Sequence, residues 1–176
     1  MPEFAVTAIG RDRPGIVAAI SGALFDLGGN IEDSQMSILR GHFAVMLMVS
    51  VPGDVERDRL VERLGRVRED LGLEAITFND VDELQAPPSP ATHVLTVYGA
   101  DHPGIVHAVT EALAARRVNI TDLATRVTEG EQPIYAMIME VAVQPDEVQA
   151  VEDTLRDVAA RESVEVNLRP LEAEAL

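Results

Sequence analysis

The sequence predicts an α+β protein made of two βαββαβ units, each an antiparallel four-stranded sheet with two helices on one face. Three observations lead there. A short stretch occurs twice, as Gly10-Arg-Asp-Arg-Pro-Gly-Ile-Val17 and as Gly99-Ala-Asp-His-Pro-Gly-Ile-Val106. The residues downstream of it recur at the same offset: Leu24 falls on Leu113, Asn30-Ile31 on Asn119-Ile120 and Asp33 on Asp122. Within each copy, short β-prone runs are separated by two stretches of helical periodicity.

In the first copy, Phe4 to Ile9 reads as a strand that runs straight into the motif. Ile16, Ile20, Leu24 and Leu27 then share one helical stripe, with Ala19 and Ala23 beside it, and Gly28-Gly29 ends the helix. Ile31 to Leu39 and Phe43 to Val51 form two strands around the hairpin-length connection Arg40-Gly41-His42. A second helix is expected from Pro52-Gly53-Asp54, burying Val55, Leu60, Leu64, Val67 and Leu71, and a strand from Leu73 to Val81 closes the unit. The second copy repeats the order. Its strand runs from Val94 to Tyr98, its first helix starts at Pro103, and strands follow from Asn119 and Tyr135. A helix from Pro145 and a strand over Val164 to Leu168 complete it. Three extra residues fall in the turn-like Glu129-Gly-Glu-Gln-Pro133, where insertion costs little.

Both helices of a unit have charged outer faces, so their apolar stripes must share one sheet. The split βαβ, ferredoxin-like sandwich satisfies this. Right-handed crossovers then put the first and third strands in the centre and the second and fourth at the edges. The expected domains are residues 1–83 and 92–172, joined by a proline-rich linker over 84–91 that contains Pro87, Pro88 and Pro90. Units of this size have thin cores and open edges, so pairing of units, as a homodimer, is expected.

Composition narrows the function. The formal net charge is -16 and aromatic residues make up 3% of the chain, which argues against direct nucleic-acid binding by phosphate contacts or base stacking, and against an anionic membrane surface. With no cysteine, thiolate chemistry and cysteine-ligated zinc are excluded. The longest apolar run, Phe43 to Val49, is too short to span a bilayer, and the first residues carry no basic-then-apolar leader, so a cytoplasmic location is expected. His42, His93, His102 and His107 show no metal-ligand spacing, and no serine or threonine has a base partner. Neither an active site nor a cofactor is expected.

The residues that carry a family resemblance are Asp-Arg-Pro-Gly-Ile-Val17 followed by Gly-Asn-Ile-Glu-Asp33, and Asp-His-Pro-Gly-Ile-Val106 followed by Val-Asn-Ile-Thr-Asp122. Each set resembles an ACT domain, and the pair is similar to the glycine cleavage system transcriptional repressor family and its tandem-ACT relatives. The resemblance implies a non-catalytic regulatory module that binds a free amino acid between paired domains, glycine or serine being examples. It also implies action through a protein partner, including any transcriptional role. ACT units resemble the N-terminal domain of formyltetrahydrofolate deformylases too, but no catalytic domain is expected here.

The residues themselves supply a site. Gly10, Asp12, Arg13, Pro14, Gly15 and Ile16 form the first turn; Gly99, Asp101, His102, Pro103, Gly104 and Ile105 form the second. Helix-terminal amides at such a turn suit a carboxylate. Asn30 and Asn119 begin strands at the far end of their own sheets. If two units pair through their second strands, antiparallel, Asn119 faces the first turn and Asn30 the second, each adding an amide to the ligand. Each of these residues also has a structural role open to it. Asp12 and Asp101 suit helix caps, Pro14 and Pro103 the first helical position, and Asn30 and Asn119 left-handed turn residues. Gly15 and Gly104 suit helix–strand packing. A carboxylate at Asp12 and Asp101 would repel a ligand carboxylate while suiting an ammonium. On the purely structural reading the protein is an adaptor that binds no small molecule.

Overall fold

The computed structural model describes residues 2–81, 89–128 and 133–171. The chain divides into two compact units, Met1–Gln85 and Ala86–Leu176. The first contains β1 (Glu3–Arg11), α1 (Ile16–Asp26), β2 (Asn30–Leu39), β3 (His42–Ser50), α2 (Arg57–Leu71) and β4 (Ala75–Asp80). The second contains β5 (His93–Ala100), α3 (Ile105–Ala115), β6 (Asn119–Val127), β7 (Ile134–Ala142), α4 (Val148–Glu162) and β8 (Val164–Pro170). Each unit has the expected βαββαβ order. The sheet orders are β2-β3-β1-β4 and β6-β7-β5-β8, all neighbours antiparallel, so the first and third strands are central. The proline-rich linker expectation over 84–88 and the insertion over 129–132 lie outside the described residues.

Alternation sets the core. Phe4, Val6 and Ala8 of β1 point to the helices together with Phe43, Val45, Leu47 and Val49 of β3, and all are buried. Ile16, Ile20, Leu24, Leu60 and Leu64 descend from α1 and α2 onto that face, each with at most 2% of its surface exposed. Full burial of one such side chain is worth about 1.5–3 kcal/mol. The second unit repeats the arrangement with Leu95, Val97, Met137, Met139, Val109 and Leu155.

Local chemistry explains the joints. The α1 terminus is closed as expected: the Gly29 amide donates to Leu24 O and the Gly28 amide to Phe25 O, with Gly28 at φ 70. Arg40 and Gly41 both have positive φ, giving the β2–β3 hairpin a two-residue loop between Leu39 and its partner His42. A β-bulge interrupts β2 between Ile31 and Asp33, and β6 between Ile120 and Asp122; strict alternation does not anticipate it.

Several boundaries move. Gly10 and Gly99 lie inside β1 and β5, paired with Phe43 and Tyr135, rather than in the turn. They are glycines because the backbone of the last strand crosses close by. An added Cβ at Gly10 would lie 3.1 Å from Leu73 Cα, and one at Gly99 would lie 3.3 Å from Val164 Cα. The first helices begin at Ile16 and Ile105, two residues after the prolines, so Pro14 and Pro103 precede the N-cap and do not occupy the first helical position. The second helices begin at Arg57 and Val148, after turns in which the Val55 amide donates to Pro52 O and the Glu147 amide to Gln144 O.

These contacts set a stability expectation. Gly99→Ala should cost about 1–3 kcal/mol, the usual penalty of forcing atoms into a packed region. Gly22→Ala, on exposed helix α1 with nothing within 4 Å, should stabilise by about 0.5–1 kcal/mol. Urea denaturation monitored by circular dichroism checks both signs.

Candidate functional site

The first strand of each unit ends in the Asp-x-Pro-Gly turn, and in the first unit the structure fixes that turn from three directions. The Asp12 amide donates to Gly41 O at 2.8 Å, binding the turn to the β2–β3 hairpin. Gly15 and Gly104 are the N-cap residues of α1 and α3, at φ 98 and 108, and an added Cβ at either would meet nothing within 4 Å. Their role is therefore backbone conformation beside open space, not helix–strand packing. Helix hydrogen bonding begins there, with the Ala19 amide donating to Gly15 O and the Ala108 amide to Gly104 O. No described side chain caps either helix, so the cap expected of Asp12 and Asp101 is not formed: each lies three residues before the N-cap. The amides at the start of these helices have no intrahelical acceptor.

The third tie comes from the residue before the proline. Arg13 donates from its guanidinium to Leu71 O, the last residue of α2, at 3.2 Å. At the equivalent place His102 Nε2 lies 2.9 Å from Glu162 O, the last residue of α4, and its Nδ1 lies 3.1 Å from Pro103 O. A positive group at a helix C-terminus also complements the helix dipole. The carbonyl contacts raise the His102 pKa, Glu162 O first and Pro103 O second, with the Glu162 and Asp101 carboxylates adding and partial desolvation opposing.

The second turn opens into a cleft of about 630 Å³ lined by residues 101–107 and Tyr135. Tyr135, 7% exposed, forms its inner wall; its hydroxyl lies 3.6 Å from Met137 Sδ. Burial, with the Asp101 carboxylate second, raises the Tyr135 pKa. The first unit has Phe43 at this place. A groove of about 270 Å³ between α4 and β8 also includes Arg156 and Asn167, but no turn amides converge on it.

Asn30 and Asn119 are the first residues of β2 and β6. Positive φ among the described non-glycine residues belongs to Arg40, Arg117 and Ser163, so neither asparagine is a left-handed turn residue. Asn30 pairs with Ser50, which pairs with Glu3, whereas the turn lies beyond Arg11, which pairs with His42. The two features thus sit at opposite ends of the sheet, separated by the 10 residues of β2, about 30 Å at 3.3 Å per residue. The structure does not bring Asn30 to its own unit's turn.

A polar cluster that sequence reasoning missed holds Asn30. Its Nδ2 donates to Glu32 Oε1 at 3.0 Å, and buried Ser50 donates to the same oxygen at 2.6 Å. Glu32 occupies the bulge, which is why its proximity to Ser50 does not follow from alternation. The second unit has Thr121 and Ala142 in these places and cannot repeat the cluster. Among the described residues, no group of three or more histidines and carboxylates could hold a metal ion, and no helix is long and apolar enough to cross a membrane.

Against known proteins, the ACT domain family matches residues 3–78 and again residues 93–160. The glycine cleavage system transcriptional repressor of Escherichia coli is 32% identical over 134 residues, 76% of this chain and 69% of that protein. The chain is a tandem ACT-domain protein. Phosphoserine phosphatase SerB2 of Mycobacterium tuberculosis is 29% identical over 163 residues, 92% of this chain but 39% of that enzyme. A crystal structure of an unknown protein from Galdieria sulphuraria superposes with a TM-score of 0.85 at 29% identity, covering 97% of this chain and 98% of that one. Both ACT units therefore have counterparts in one solved chain of the same extent.

The Glu32 cluster has a titration signature. Its two donors, Ser50 first and Asn30 second, hold the Glu32 pKa below the usual carboxylate range, with desolvation opposing. A lowered folded value contributes stability above the unfolded pKa, and that stability is lost as pH falls through the folded value. Ser50→Ala should therefore move the Glu32 carboxyl resonance to titrate at higher pH, and Asn30→Ala should move it less. Carboxyl carbon NMR titration measures both shifts.

Proposed function

We propose that this tandem ACT protein is a regulator that binds a small amino acid, such as glycine or serine, where ACT units pair, and acts through a protein partner. The cleft of about 630 Å³ at the second turn carries the reading, since it lies within the usual size range of small-molecule sites and opens onto amides that have no intrahelical acceptor. Relationship to a transcriptional repressor supports a regulatory role, and the chain's net charge of -16 favours action through another protein over direct contact with DNA.

The remaining half of the site comes from the open edges. β2 and β6 each pair on one side only, and the helix-facing Met36, Ile38, Leu123 and Val127 remain close to half exposed. Antiparallel pairing of two such edges brings the start of one strand to the turn end of the other sheet. Asn119 then meets the turn of Gly10, Asp12, Arg13, Pro14, Gly15 and Ile16. Asn30 meets the turn of Gly99, Asp101, His102, Pro103, Gly104 and Ile105. In each site the helix amides hold the ligand carboxylate, the aspartate holds its ammonium and the asparagine bridges from the partner unit. A homodimer or the two units of one chain satisfies this geometry equally.

A second reading, an adaptor without a small-molecule ligand, draws support from the carboxylates of Asp12 and Asp101, which oppose an incoming carboxylate. Calorimetric titration with the twenty common amino acids separates the two. The sensor reading expects saturable heat with at least one of them, weakened about tenfold by Asn30→Ala or Asn119→Ala, the loss of one good hydrogen bond. The adaptor reading expects no heat with any.

A further inference from the structure

The two turns are held by different chemistry at one repeated place. Arg13 and His102 both precede the turn proline, and both reach across the unit to the last carbonyl of its second helix, Leu71 O and Glu162 O. Arginine keeps its charge throughout the accessible pH range. Histidine does not, and the position of its ring makes the difference consequential. Both ring nitrogens face carbonyl oxygens, Nε2 at 2.9 Å and Nδ1 at 3.1 Å. Only the imidazolium donates at both. A neutral ring keeps one N–H and turns the other lone pair towards a carbonyl oxygen.

We infer that the protonated His102 imidazole is a clasp that fixes the second turn to the end of α4, so that proton release loosens the second turn while the Arg13 clasp leaves the first unchanged. The consequence for amino-acid affinity rests on the turns being ligand sites, as proposed above. With that reading, one site of the protein senses pH and the other does not.

The surroundings favour the charged form. From α4, Glu162 presents a carboxylate, partly offset by Arg161, which donates to it at 3.0 Å. Asp101 adds negative charge from the turn itself. His107 of α3 and Tyr135 of β7 line the same cleft, and His107 lies 4.0 Å from the Glu111 carboxylate. The balance raises the His102 pKa, the carbonyl bonds contributing most. A raised folded value means that the second imidazole hydrogen bond contributes fully below the ordinary histidine pKa of about 6.5 and is lost as pH rises through the elevated value, which weakens the clasp.

Two measurements on the ligand-free protein test the inference, so their outcome is independent of whether any amino acid binds. Imidazole NMR titration should show His102 holding its proton above the ordinary histidine pKa of about 6.5. Amide exchange, corrected for its intrinsic pH dependence, should then accelerate several-fold at Ala108, whose amide donates to Gly104 O, relative to Ala19, whose amide donates to Gly15 O, across the His102 transition. His102→Arg should remove that differential, and His102→Gln should hold the second turn in its high-pH state throughout. Titration of His102 at or below the ordinary histidine value of about 6.5 would overturn the clasp. So would turn protection that changes in parallel in the two units of the wild-type protein.

Discussion

Two helices cover a four-stranded sheet incompletely, and in both units the strand left over is the second. Its inner partner is satisfied: β2 pairs with β3 and β6 with β7 along nearly their whole lengths. Its outer edge has unpaired backbone groups, and its helix-facing side chains, Met36 and Ile38 in one unit and Leu123 and Val127 in the other, lie beyond the reach of full burial. A strand with a free ladder and a partly wet apolar flank is a template for another strand. The site proposed for the protein depends on this constraint, because the asparagines stand at one end of that edge and the turns at the other.

The turns are tied down by contacts spread through each unit. β1 can pass close to Leu73, just before β4, and β5 close to Val164, at the start of β8, because Gly10 and Gly99 have no Cβ. The following backbone is fixed by the Asp12 amide on Gly41 O in the first unit and by Arg13 and His102 on the ends of the second helices. Gly15 and Gly104 then take a conformation that L side chains avoid, which aims the first helical amides at open space. The duplicated framework is common to both units, but the chemistry on it has diverged: Arg13 against His102, Phe43 against Tyr135, Glu32 against Thr121. One fold therefore presents two turns of unequal character.

The architecture was legible in the sequence because duplication and periodicity are both one-dimensional signals. Repeated Asn-Ile and Pro-Gly pairs gave the duplication, and the helical stripes gave the shared face, from which the strand order followed. What the sequence concealed depends on contacts between distant residues. Arg13 meets Leu71 across 58 positions and His102 meets Glu162 across 60, so no local pattern marks them. Asp12 and Asp101 look like caps because aspartate before a helix usually is one. Here the Pro-Gly turn places the N-cap at the glycine and moves the carboxylates out of reach. The bulge at Glu32 was equally hidden, since one extra residue in a strand leaves composition unchanged. Strands also ran further than their apolar cores, because Gly10 and Gly99 stay in the ladder despite their low strand propensity.

The claim that other ACT units complete these edges can be tested by residue-resolved amide exchange on β2 and β6. Half of the amides in each strand point away from β3 or β7 and have no acceptor within their own sheet. The account predicts that these outward amides are protected to the same degree as the inward ones of the same strands. Exchange of the outward amides at the rate of an open chain, at every protein concentration tried, would contradict it.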